Sequence, residues 1–206
     1  MALTTVRSTG IGSLPAISGA NLTSLNASNI SSGTLNSARF SGGKIGQVVQ
    51  THFNTNTAYD FGANTYGELT EFRTSITPSA TSSKVLINVN MCFGFESDSM
   101  PIFKMQRDST DLPVGNTYGS YSPSARQGMF TNYYRASNED LGVMLASFSY
   151  LDSPSSTSSL QYEIHGNNRG TNNKDIRLNA PHSYSNWGDN NSSGHTSSMI
   201  LMEVLA

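Results

Sequence analysis

At Lys44 the spacing of apolar residues along this chain changes from five to two. Before that point, across residues 20–40 (ANLTSLNASNISSGTLNSARF), Leu25, Ile30, Leu35 and Phe40 fall at every fifth position. The residues between them are almost all Ser, Thr, Asn, Gly and Ala. A period of five fits neither a helix nor a strand. One thin apolar line cannot close a core within a single chain. It can be buried against identical lines from neighbouring chains around a symmetry axis. The expectation is an extended, low-complexity, fibrous stem over residues 20–43 that joins three chains. A disordered linker is the competing reading, because polar low-complexity tracts commonly fail to offset their ordering entropy.

After Lys44 the pattern is that of strands. In residues 84–95, Val85, Ile87, Val89, Met91, Phe93 and Phe95 point one way, and Lys84, Asn88, Asn90 and Gly94 the other, interrupted by Leu86 and Cys92. That alternation marks a half-buried strand. Phe72, Thr74 and Ile76 against Glu71, Arg73 and Ser75 give a second; Leu160, Tyr162 and Ile164 against Gln161, Glu163 and His165 give a third. Residues 141–151 and 199–205 are apolar on both sides, as in strands covered on both faces or lying at a subunit interface. Further strands are expected near 46–53, 102–107 and 128–134. Turn chemistry separates them at 77–79, 107–111, 152–155 and 166–168, with Asp108 capping a tight hairpin. About eight to ten short strands without an amphipathic helix predict an all-β fold, a β-sandwich or jelly roll.

Two stretches carry resemblances. NASNISSGTLNSARF, within residues 20–40, resembles the junction that precedes a globular tip in bacteriophage tail fibres. ITPSATSSKVLINV (76–89), SYLDSP (149–154) and ILMEV (200–204) resemble a C-terminal domain of fibre-like proteins of marine phages. The second likeness spans most of residues 44–206. It implies a compact, trimeric tip similar to the jelly rolls of tumour-necrosis-factor and C1q type. The resulting division is a virion-docking arm (1–19), a trimeric stem (20–43) and a β-sandwich tip (44–206). A frayed terminus is the alternative for the arm, whose Gly10, Gly12, Pro15 and Gly19 break regular structure.

Composition narrows the function. Charged residues are 13% of the 206, the formal net charge is −2, and basic residues do not cluster, so a nucleic-acid partner is not expected. No apolar run is long enough to span a bilayer, so membrane insertion is not expected either. The start, MALTTVRSTG, lacks the apolar core of a signal peptide. Cys92 is the only cysteine, which excludes an internal disulfide and a cysteine-based zinc site; its apolar setting predicts a small buried hydrophobe.

No catalytic residue is singled out. The chain has no G-x-S-x-G elbow, and His52, His165, His182 and His195 lack metal-binding spacing, with His182 and His195 the one near pair. Neither a metal nor another cofactor is expected. The stronger candidates bind rather than react. The segment 181–195 (PHSYSNWGDNNSSGH) holds the single Trp, and Tyr184, Asn186, Trp187 and Asp189 are the types that stack on and hydrogen-bond sugars. Trp187 capping the sandwich or packing between subunits is the other reading. Tyr118 and Tyr121 in GNTYGSY, and Tyr133-Tyr134-Arg135, are lesser candidates on the same terms. The expected role is a homotrimeric tail fibre on the virion surface. Its arm would hold another virion protein, of tail or capsid, and its tip a host cell-surface glycan or protein. A head fibre or capsid decoration protein is the structural alternative. A carbohydrate-active enzyme or its binding module is the alternative of another class.

Overall fold

The computed structural model describes residues 44–62, 65–96, 99–113, 130–132, 143–168, 174–182 and 194–205, with backbone alone at 130–132 and 174. The expected arm and stem, with Leu25, Ile30, Leu35 and Phe40, lie outside these residues. Among the described residues are eleven strands and no helix: β1 Lys44–Phe53, β2 Thr57–Phe61, β3 Gly67–Ile76, β4 Lys84–Phe95, β5 Pro101–Arg107, β6 Thr110–Asp111, β7 Phe130–Asn132, β8 Met144–Asp152, β9 Leu160–Asn168, β10 Lys174–Leu178 and β11 Ser197–Leu205. All pair antiparallel, in two sheets.

The first sheet runs β8-β4-β11-β1, with β10 continuing the β11 row and β2 the β1 row. The second runs β3-β9-β5, and β6 and β7 both pair with β5. Leaving out the row extensions β2 and β10 and the two-residue β6, eight strands remain. Their pairing joins first with last (β1–β11), second with seventh (β3–β9), third with sixth (β4–β8) and fourth with fifth (β5–β7). Nested pairing of that kind is the jelly roll. The all-β sandwich that the alternation predicts is therefore the fold of the described residues between 44 and 205.

Alternation decides which side each strand buries. In β4, Val85, Ile87, Val89, Met91, Phe93 and Phe95 are all buried. They face Leu69, Phe72, Phe103, Met105, Tyr162 and Ile164 of the second sheet in one continuous core. Edge-to-face ring pairs, Phe53–Phe72 at 4.2 Å and Phe93–Phe103 at 4.9 Å, lock the layers together. Each fully buried side chain of this size contributes about 1.5–3 kcal/mol relative to exposure.

Three polar joints connect distant elements. Asp152, at the end of β8, accepts hydrogen bonds from Arg107 of β5 and, at 2.7 Å, from the Tyr162 hydroxyl of β9, which ties the two sheets. Glu203 of β11 accepts from the Ser79 backbone N–H and hydroxyl, both at 2.6 Å, which fixes the β3–β4 loop. Burial pushes the Glu203 carboxyl up, but the bonds from Ser79 outweigh it and leave the group below the ordinary glutamate value. Thr51 and Thr74 join β1 to β3 at 2.6 Å.

Four expectations are corrected. Gly166, Asn167 and Asn168 form no turn; they continue β9 and pair with Phe103, Ile102 and Pro101. A strand is possible there because Gly166 leaves room for the Phe61 ring, which a Cβ would meet at 3.0 Å. Coverage of residues 141–151 on both faces is overturned for β8, the rim row of its sheet, where Leu145 and Leu151 are exposed. Cys92 is half-buried on the outer side rather than in the core, and burial raises its thiol pKa. Asp108 does sit in the β5–β6 hairpin, where it and Ser109 have positive φ (46° and 68°) as a two-residue turn requires. Its carboxylate, however, does not cap that turn: it accepts from the Gln161 N–H of β9 at 2.8 Å.

Candidate functional site

The loop expected to bind sugar leaves β10 after Leu178 and returns at β11. Trp187, Tyr184, Asn186 and Asp189 lie outside the described residues, as do Tyr118, Tyr121, Tyr133, Tyr134 and Arg135. What the structure describes is the root that holds both ends of the Trp187 loop.

That root is organised by Asn179. Its φ of 58° lies in the left-handed region, which Asn tolerates better than most residues. Its backbone N–H donates to the Cys92 carbonyl at 2.9 Å, and its carbonyl accepts from the His195 N–H at 3.3 Å. Its side-chain amide donates to the carbonyls of Thr55 (3.0 Å) and Phe53 (3.3 Å). Its side-chain oxygen accepts from the Ser197 hydroxyl at 2.6 Å, and that hydroxyl in turn accepts from the Cys92 N–H. One residue thus ties the outgoing end of the loop (179) to its returning end (195 and 197), and both to β4 and the β1–β2 bend. Buried amides so fully satisfied rigidify their surroundings. The loop therefore springs from a fixed base.

Gly94 lets this base sit close to the sheet. A Cβ there would lie 2.5 Å from the Ala180 carbonyl oxygen and 2.8 Å from the His182 nitrogen. Beside it His182 faces two carboxylates, Asp175 at 3.8 Å and Glu96 at 3.9 Å, and Arg177 lies 4.0 Å from Asp175. This is a charged shelf at the foot of the loop. Among the described residues no group of three or more His, Cys, Asp and Glu is placed to hold a metal ion. His182 and His195 both belong to the root.

A second polar concentration covers the outer face of the β3-β9-β5 sheet. Arg73 donates to Glu68 through Nε (2.8 Å) and Nη2 (2.6 Å). Glu163 is bonded by Gln161 (2.8 Å) and His165 (3.0 Å). Asp111 is bonded by Gln106 (2.6 Å) and Lys104, whose ammonium also lies 4.7 Å from the centre of the Tyr66 ring. Burial alone would raise the carboxyls of Glu163 and Asp111; these partners lower them below ordinary values. Glu163, expected on the open side of its strand, is almost wholly covered by these neighbours.

Sequence reasoning finds the loop but not its root. Asn179 reads as an ordinary turn residue, and nothing local marks Ser197, whose partners lie 18 and 105 residues away. No family model matches the chain, and no curated relative matches it.

Proposed function

We propose that the chain is a bacteriophage virion protein, a homotrimeric fibre whose C-terminal jelly roll attaches the particle to a host-surface glycan. The observation that carries this reading is the junction at Lys44, where a fibre-like apolar period of five runs directly into the first strand of a two-sheet sandwich. The architecture supports it. A sandwich held by one continuous core can present loops at its ends, and the loop with the single Trp stands on a saturated hydrogen-bond base. Residues 1–19 dock the fibre on another virion protein. Three weak sites on one fibre, multiplied over several fibres, reach high avidity without a deep pocket.

The test is binding of the labelled full-length chain to bacterial surface polysaccharides on an array and on cells. The native chain binds a discrete set of glycans. Trp187→Ala lowers that binding by about tenfold or more, as truncation of an aromatic anchor does, while the melting temperature is unchanged. Binding that survives Trp187→Ala places the site elsewhere on the tip. A chain that recognises no bacterial surface contradicts the reading.

A further inference from the structure

Four large apolar side chains are exposed among the described residues: Leu145 (64%), Val48 (57%), Ile45 (49%) and Leu151 (45%). All four lie on one surface, the outer face of the β8-β4-β11-β1 sheet. The register shows how they align. Leu151 pairs with Leu86, Leu86 with Met202 and Met202 with Val48, an unbroken apolar rung across all four rows. The next position towards the start of β1 brings Val204 opposite Ile45, and Ile200 lies on the other side of the rung. Residues directly opposite in antiparallel strands have Cβ atoms about 5 Å apart, so these side chains form one band.

Beyond the band come polar Ser–Asn rungs, then Cys92 beside the exposed Leu145, and past these Arg177, Asp175 and Asp60 on the β10 and β2 continuations. Ser149 donates to Asn88 at 2.6 Å and Ser147 to Asn90 at 3.0 Å. Those side chains satisfy one another within the sheet, so covering them leaves fewer groups in need of new partners. Lys84 stands at one end of the face and His52 towards the other; between them is no charged group.

We infer that this face is where copies of the chain pack on one another, with the apolar band at the centre of the contact. Three observations select a second copy as the occupant. The β8-β4-β11-β1 part of the face has no carboxylate and one lysine at its rim, so the band and the rungs beside it meet their own likeness without repulsion. The band lies at the end of the face where the chain arrives from residue 43, so a stem along a shared axis brings these ends of neighbouring copies together. The size also fits. Four rows about 4.8 Å apart and strands rising about 3.3 Å per residue give a face of about 15 by 25 Å. That falls short of the about 800 Å² per partner in a free-standing pair, but suffices between copies already tethered, where effective concentration is high. The inference rests on the fibre reading for that tether.

Cross-linking of the full-length chain tests it. In a Cys92→Ser background, Val48→Cys places a thiol in the band, and Ser75→Cys places one on the outer face of the other sheet. With a short bismaleimide, Val48→Cys chains join into covalent dimers, the largest product that one thiol per chain allows, and Ser75→Cys chains do not. Equal yields at the two positions, or none at Val48→Cys, overturn the inference. The double variant Val48→Asp/Leu151→Asp, which buries carboxylates in the contact, weakens assembly by about tenfold or more while a single melting transition is retained. An unchanged mass for a folded double variant also overturns it. Glycan binding by the same preparations separates the two ideas. Binding without cross-links removes this interface and leaves the tip's role standing, whereas loss of both removes the fibre reading as well.

Discussion

The two outer faces of this sandwich are built on the same core by the same alternation, yet they differ in chemistry. The face of the β3-β9-β5 sheet carries Arg73, Glu68, Glu163, His165, Lys104 and Asp111, nearly all in ion pairs or charge-assisted hydrogen bonds. The β8-β4-β11-β1 face carries an apolar band beside Ser–Asn rungs, and its carboxylates, Asp60 and Asp175, stand only on the β2 and β10 continuations. Period-two patterning fixes only which side of a strand enters the core. What occupies the other side is free to vary: paired charges on one face, and on the other the apolar band that the proposed contact between copies would cover.

Removing the joint that the two faces share gives the largest effect. Asp152→Ala leaves Arg107 and the buried Tyr162 hydroxyl without their common acceptor, and stability falls by about 2–4 kcal/mol. Denaturant unfolding then shows an earlier midpoint and a single transition, because both faces rest on one core. Two resolved transitions break the comparison, since the sheets would then be separate units.

A smaller loss follows from Glu203→Ala, which orphans the Ser79 N–H and costs about 1–3 kcal/mol. Acid acts on the same group. Glu203, Glu163 and Asp111 are all held below their ordinary values. Their contribution is therefore complete above the unfolded values near pH 4, and is lost as pH falls through the lower folded values. Melting temperatures measured from about pH 7 down to about pH 3 decline most steeply below about pH 4. Glu163→Gln flattens that decline, whereas Ser149→Ala on the opposite face leaves its slope alone. Equal slopes in Glu163→Gln and the native chain erase the electrostatic side of the comparison.

The smallest expected change is at Lys104. Its pair with Asp111 is partly exposed, so Lys104→Ala costs about 0.5 kcal/mol, and the difference disappears in high salt. A salt-independent loss would mean that the lysine stem's packing near Tyr66, rather than its charge, matters there.

Much of the fold is legible in the sequence wherever burial repeats. The six inward residues of β4 and the alternation in β3 and β9 appear in the structure as read. Besides the two-residue β6, which reads as part of a turn, two strands are not legible. TAYDF in β2 and KDIRL in β10 are too short for periodicity to stand out, and they are strands because they pair with each other and because β10 pairs with the end of β4. Glu203 interrupts an apolar run for a reason that lies in Ser79, 124 residues away. Long-range hydrogen bonds of this kind leave no local trace. The same holds for the root of the loop: Trp187 is conspicuous as a residue type, but Asn179, which fixes the loop's base, has the composition of any turn. The face with the apolar band was legible in part, because residues 141–151 and 199–205 read as apolar on both sides. In a single chain their outer side is exposed at Leu145 and Leu151 and half-buried at Ile200, Met202 and Val204.

The most direct test of the whole account is the mass of the full-length protein by light scattering during size-exclusion chromatography, against a chain of 22.1 kDa. A stem of period five that leads into tips with an apolar band on one outer face predicts a mass of three chains that persists on dilution. A single-chain mass at every concentration contradicts it.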